Sequence, residues 1–190
     1  MFMKNNTVLI NNIYPTNSNA QYLMKLLVLC AFGSALLTLS SKIQVPFWPV
    51  PMTMQTFIVF IIGMTYGCKF GSYTLVSYLL LGAIGLPVFA KGGGVLYLTG
   101  PTAGYLYGMA LAAAVIGYLA DRGYDKSYFK SLLAVFIGTA LIFIFGVGYL
   151  GSVIGFDKAL AGGLYPFVLS EAFKIALAVA IIPTISKFIK

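Results

Sequence analysis

The sequence predicts an all-α integral membrane protein, a bundle of six transmembrane helices with both termini on the cytoplasmic side. Three observations carry that reading. Hydrophobic residues make up 60% of the 190-residue chain and charged residues 8%, against about 25% charged in an ordinary globular domain. The apolar residues gather into six segments close to the roughly 20 residues a helix needs to cross the hydrocarbon core. The ten-residue alternation of apolar and polar side chains expected of a membrane barrel strand does not occur.

The elements follow in order. Residues 1–19 read as a polar, Asn-rich cytoplasmic leader without a signal-peptide core, and residues 20–190 as one six-helix membrane domain. The first span, 21–39, contains Ala31-Phe32-Gly33-Ser34-Ala35. There Ala31 and Ala35, four apart, allow close approach of another helix, either a partner's or one of this chain's own. Spans are expected at 50–66 and 70–86, then a Gly-rich outer loop between the third and fourth helices, then spans at 101–119, 129–150 and 164–188. Pro101 is expected at the first helical position of the fourth span, where a missing N–H costs nothing. Cys30 and Cys68 show no disulfide or metal spacing and read as packing residues.

Six crossings put both termini on one side. With that side inward, Lys4, Lys25, Lys69, Arg122, Lys126, Lys130, Lys187 and Lys190 face the cytoplasm, and Lys42, Lys91 and Lys158 face out, as the positive-inside rule requires. The net charge of +8 is therefore a matter of topology, and no nucleic-acid partner is implied.

Lys174 belongs to neither face. It lies with Glu171 inside an apolar run, six residues and roughly 9 Å beyond Tyr165 for the acid. A charge at bilayer depth costs about 2.5 to 3.5 kcal/mol and normally faces a bundle interior or a wet cavity. Three residues apart, the two side chains share a helix face, so they either lock neighbouring helices together or serve a polar ligand. Histidine is absent, and the acids are Asp121, Asp125, Asp157 and Glu171 alone. That set argues against enzymatic chemistry, metal binding and a resident cofactor. Ser170 faces another side of the helix from Glu171, so the two form no nucleophile–base pair.

The outer connections differ from the short basic inner turns. Gln44-Val45-Pro46-Phe47-Trp48-Pro49-Val50-Pro51 holds three prolines that fix an extended path. It presents Phe47 and Trp48 either as an interfacial anchor or as a ligand wall. The second outer loop runs from Pro87 through Phe89, Lys91 and the triplet Gly92-Gly93-Gly94 to Tyr97. The glycines suit either a flexible turn or close backbone approach to a ligand. The apolar stretch into Tyr97 suggests a re-entrant piece packed in protein. No Gly-Lys-Ser/Thr follows, which excludes a phosphate loop. Three helices of the expected topology begin at the outer face, so their positive ends favour an anionic group there.

Pro51-Met52-Thr53-Met54-Gln55-Thr56, Gly85-Leu86-Pro87-Val88-Phe89-Ala90, Gly92-Gly93-Gly94, Gly100-Pro101-Thr102-Ala103-Gly104-Tyr105-Leu106 and Asp121-Arg122-Gly123 occur in that order. In this the chain, from about Gln21 to its C-terminus, resembles the BioY family, the biotin-specific S components of energy-coupling factor (ECF) transporters. The resemblance implies a subunit of the bacterial inner or plasma membrane that captures biotin from the outer face. It also implies lipid surroundings and, as partners, a transmembrane T component and ATPase subunits, with ATP bound by the partners only. An acid and a lysine on the sixth helix serve biotin's ureido ring in this family, which assigns that role to Glu171 and Lys174. The acid there is usually Asp, so Glu171 is a departure. Phe47, Trp48, Phe89, Tyr97 and Tyr105 are candidates for packing the rings, and Gly93 and Gly94 for close approach. Lys91, Thr102 or the start of the fourth helix would meet the carboxylate. The small-residue face at Ala31 and Ala35 is implied to dock the T component. The alternative is a stand-alone secondary transporter or uniporter for a small vitamin.

Overall fold

The computed structural model describes residues 8–188, so part of the expected leader, with Lys4, and the C-terminal Lys190 lie outside the described residues. Seven α-helices appear among them: α1 (Leu9–Ile13), α2 (Asn19–Lys42), α3 (Gln55–Ala83), α4 (Ala103–Ala120), α5 (Tyr128–Ile154), α6 (Phe156–Gly163) and α7 (Phe167–Phe188). Five of these, α2, α3, α4, α5 and α7, are long and apolar enough to cross a membrane. The chain is thus a multi-pass helical membrane protein. A two-stranded hairpin, β1 (Gln44–Val45) against β2 (Met52–Thr53), is a small β element that the sequence did not announce.

The spans expected at 50–66 and 70–86 belong to the single element α3, which breaks at Gly67. Gly67 has φ 78° and ψ −178°, a conformation that glycine adopts without a Cβ clash. The chain folds back there. Gln55 Nε2 donates to the hydroxyl of Tyr78 at 2.7 Å, whereas 23 residues of unbroken helix would separate them by about 35 Å. The first limb starts at Gln55 rather than 50 and reaches the bend in 12 residues, about 18 Å. Residues 50–53 go to the loop and hairpin instead. The second limb begins at Cys68, whose amide donates to Asp121 Oδ2 at 3.1 Å. A carboxylate from the end of α4 so caps the positive end of a neighbouring helix. Burial nevertheless pushes the Asp121 carboxyl above its usual range, against the pull of that amide and of Lys69.

The described part of the leader is structured. Ser18 caps α2 by accepting from the Gln21 amide at 3.2 Å, and Gln21 Oε1 accepts from the Asn17 amide at 2.9 Å. This is a reciprocal capping arrangement. Lys25, expected among the inner surface cations, is buried in α2. Its Nζ donates to Ile10 O, Asn11 Oδ1 and Tyr14 O at 3.1, 2.9 and 2.8 Å. These three acceptors, from short α1 and the residue that follows it, draw the lysine off the surface.

Pro101 stands two residues before α4, in a turn closed by the Ala103 amide donating to Gly100 O at 2.9 Å, rather than at the first helical position. Between α5 and α7 the amphipathic helix α6 fills the last connection, which the sequence left as loop.

Candidate ligand site at the start of helix α7

Three helices begin around one cavity. The N-terminal turns of α3, α4 and α7 supply Gln55, Tyr105 with the preceding Thr102, and Phe167 with Glu171. Their positive dipole ends therefore converge there. Val50, Pro51 and Thr53 close one side from the hairpin, and Phe89, Ala90 and Tyr97 close another from the Gly-rich loop. The space measures about 40 Å³, room for about three waters. It must widen to admit a drug-sized ligand, whose pockets run to hundreds of Å³.

Helix α7 starts at Phe167, so Glu171 lies four residues, about 6 Å, inside it rather than the expected 9 Å. Both charges are buried, Glu171 4% and Lys174 3% exposed. Lys174 Nζ donates to Glu171 Oε1 at 2.6 Å, to Thr53 O at 2.6 Å and to Thr56 Oγ1 at 3.1 Å. An ammonium has three protons, and all three are engaged. Thr56 in turn donates to Glu171 Oε1 at 2.9 Å. The second carboxylate oxygen, Glu171 Oε2, is buried without a hydrogen-bond partner. Such an oxygen costs about 1 to 3 kcal/mol, more when charged, until something donates to it. The site thus presents one open acceptor, fixed by a saturated lysine and a threonine.

Lys174 and Thr53 also line a wider groove of about 330 Å³ bounded by Ile43, Gln44, Val45, Met52, Met54 and Ser170. The Lys174–Thr53 hydrogen bond therefore partitions the narrow cavity from this groove.

The aromatic walls are held from behind. Tyr97 stacks on Phe89 with centroids 4.9 Å apart, and Tyr78 meets Phe89 edge-on at 5.4 Å. Tyr78 OH donates to Val88 O at 2.9 Å, Ser41 Oγ to the same carbonyl at 2.9 Å, and Lys42 Nζ to Phe89 O. Helix α2 so clamps the loop that carries Phe89. Tyr105 OH donates to Gly163 O at 2.8 Å, which ties the cavity wall to α6.

Of the residues singled out in the sequence, Glu171, Lys174, Phe89, Tyr97, Thr102 and Tyr105 meet at the cavity. Lys91, Gly93, Gly94, Phe47 and Trp48 do not line it. Trp48 is 77% exposed and Lys91 points to the surface; the prolines turn Val50 and Pro51 inward in place of the aromatic pair. The close approach at Gly93 is made by the chain's own Leu86 carbonyl, which a Cβ there would meet at 2.0 Å. The Gly-rich loop is accordingly folded on itself, and its apolar continuation exposes Leu96 while only Tyr97 and Leu98 pack inward. Thr53, Gln55 and Thr56 were missing from the candidates, although their polarity within Pro51-Met52-Thr53-Met54-Gln55-Thr56 was the available signal. Ala31 and Ala35 lie on the exposed face of α2, while Gly33 and Ser34 face inward.

The profile of the BioY family matches residues 11–190, reaching into the leader that the sequence comparison had left out. The chain is 38% identical over 160 residues to the biotin transporter BioY of Thermotoga maritima, covering 83% of this chain and 94% of that one. It is 36% identical over 154 residues to a probable biotin transporter BioY of Pyrococcus horikoshii, covering 80% and 91%. In structure it resembles the 2.1 Å crystal structure of the S-component for biotin from an ECF-type ABC transporter, with a TM-score of 0.77 and 27% identity over 90% of this chain and 95% of the other. The match of sequence and fold along nearly the whole length is decisive, and the chain belongs to the BioY family.

Proposed function

We propose that this chain is the biotin-binding S component of an ECF transporter, a carrier subunit and not an enzyme. The observation that carries the reading is Glu171 Oε2, a buried acceptor without a partner beside a cavity at three helix starts. Biotin's ureido ring offers N–H donors, and one of them completes the bonding of that oxygen. With its three protons engaged, Lys174 acts first as the group that holds Glu171, Thr56 and the hairpin in register; it reaches the ureido oxygen by releasing one of these acceptors. Phe89, Tyr97 and Tyr105 pack the rings, and the carboxylate tail lies toward Thr102 and the start of α4. Phe47, Trp48, Lys91, Gly93 and Gly94 lie outside the cavity lining and are assigned no contact with the ligand.

The two limbs of α3 count as separate crossings, which restores six and puts both termini in the cytoplasm, with the Gly-rich loop and the cavity on the outer side of the cell membrane. Exposed Ala31 and Ala35 form the face that docks the T component, and the ATPase subunits bind the ATP. Lipid covers the remaining apolar surface.

Titration of the purified chain with biotin tests the binding, and uptake into proteoliposomes with and without the T component and ATPases tests the coupling. Binding by the chain alone and uptake only with the partners is expected. Full uptake by the chain alone establishes a stand-alone transporter instead.

A further inference from the structure

We propose that the end of the bundle remote from the cavity carries a site for an anionic phospholipid headgroup, formed by Arg122, Lys126, Lys130 and Lys187. All four cations are exposed. Three of them lie over tyrosine faces: Arg122 over Tyr118 at 3.9 Å, Lys130 over Tyr124 at 5.7 Å and Lys187 over Tyr128 at 4.6 Å. The Lys187–Tyr128 contact joins the end of α7 to the start of α5, while Arg122 and Lys130 lie over rings near them in sequence. Tyr128 OH and Thr184 Oγ1 are 3.1 Å apart, and Ser131 Oγ donates to Tyr124 O at 2.9 Å.

Two further features point to a ligand of opposite charge. Of the two acids of this region, Asp125 is buried and Asp121 half-buried, and both are engaged by neighbouring donors. Asp121 Oδ2 accepts from the Cys68 amide, and Asp125, 1% exposed, accepts from Ser186 Oγ at 3.2 Å. Among the described residues no carboxylate forms an ion pair with any of the four cations. Basic residues grouped where spanning helices end attract anionic lipid, and tyrosines sit at headgroup level in such belts.

A lipid is favoured over an acidic protein by what lies between the cations. Phe129, 75% exposed, and Ile185 share the rim with Lys130 and Lys187. An acyl chain has an apolar wall there directly beneath the phosphate contacts, which a water-facing acidic surface would leave uncovered. Nothing in this site overlaps the biotin cavity.

The test is native mass spectrometry of the full chain released from nanodiscs of mixed phosphatidylglycerol and phosphatidylcholine. The wild type is expected to retain phosphatidylglycerol preferentially. Each of Arg122→Gln, Lys130→Gln and Lys187→Gln should lower that retention about fivefold, the triple variant should lose the preference, and biotin affinity should stay unchanged in all. Equal retention of the two lipids by the wild type, or an intact preference in the triple variant, overturns the site. Displacement of bound phosphatidylglycerol by millimolar inorganic phosphate overturns the commitment to a lipid. A triple variant that keeps the lipid but no longer assembles with the ATPases identifies a protein surface instead.

Discussion

Helix α7 has a buried carboxylate at each end, its own Glu171 near the start and Asp125 of the α4–α5 connection against the end, and the two behave differently. Near its start, Glu171 is charge-paired with Lys174 and leaves Oε2 without a partner at the edge of a cavity. Near its end, Ser186 donates to Asp125, whose Oδ1 is also buried without a partner. Asp125 lines neither the cavity nor the groove described above. An orphaned buried oxygen is therefore not by itself a ligand site. It becomes one where space adjoins it, where a counter-ion holds the other carboxylate oxygen in place, and where neighbouring side chains have no donors left to fill the gap. Asp125 has no ion-pair partner among the described residues. Burial pushes its carboxyl above the usual range, opposed by Ser186, Lys126 and its own amide.

Removing either partner of the Glu171–Lys174 pair tests the first end hardest. Glu171→Gln and Lys174→Ala should each weaken biotin binding by about 2 to 5 kcal/mol in calorimetric titration, much of it from the charge left unpaired. Near wild-type binding in both would dissolve the contrast between the two ends.

Thr56 sharpens the same contrast because it only positions. Thr56→Val removes the donor to Glu171 Oε1 and an acceptor for Lys174, and should cost about 1 to 3 kcal/mol of affinity. Thr56→Ser, which keeps the hydroxyl, should restore most of it. Equal losses in both variants would mean that packing rather than hydrogen bonding is at stake.

The second end should respond to pH and not to biotin. A carboxyl whose folded value lies above the unfolded value of 3.8 binds its proton more tightly when folded. It favours the fold fully below 3.8 and loses that contribution as pH rises through the folded value. Asp125→Asn mimics the protonated state. Its melting temperature should exceed that of the wild type at neutral pH by about 2 to 4 °C per kcal/mol relieved. The gap should close on acidification, and biotin affinity should be unaltered. A gap that widens as pH falls would reverse the assignment.

The smallest effect is expected at the exposed aromatic. Trp48→Ala, far from the cavity lining, should change affinity by less than about 0.5 kcal/mol. A large loss would show that the hairpin connection folds over the ligand once it is bound.

Most of the helices were legible because hydropathy reports them directly. Residues 21–39, 101–119, 129–150 and 164–188 each find a helix within a few residues. The bend at Gly67 falls between the spans expected at 50–66 and 70–86, but its form, one glycine inside a continuous helical element, was not legible. A single glycine between two apolar runs reads equally well as a loop or as a tolerated helical residue, and the decisive contact, Gln55 with Tyr78, is long-range. Helix α6 escaped because eight residues with one acid and one base carry no span signal. At the site, Glu171 and Lys174 stood out since charge in an apolar run has few explanations. Phe47 and Trp48 misled because an aromatic pair between prolines does not reveal which way the chain turns. Thr56 was invisible for the opposite reason: a threonine in a helix's first turn is ordinary until its neighbour on another helix, 115 residues away, is known.

The most direct measurement is a structure of the chain with biotin bound. A ureido nitrogen is expected within about 3.2 Å of Glu171 Oε2, in a cavity widened on the side of the hairpin. Biotin seated away from α7, with Oε2 still lacking a donor, would contradict the claim that this open acceptor is kept for the ligand.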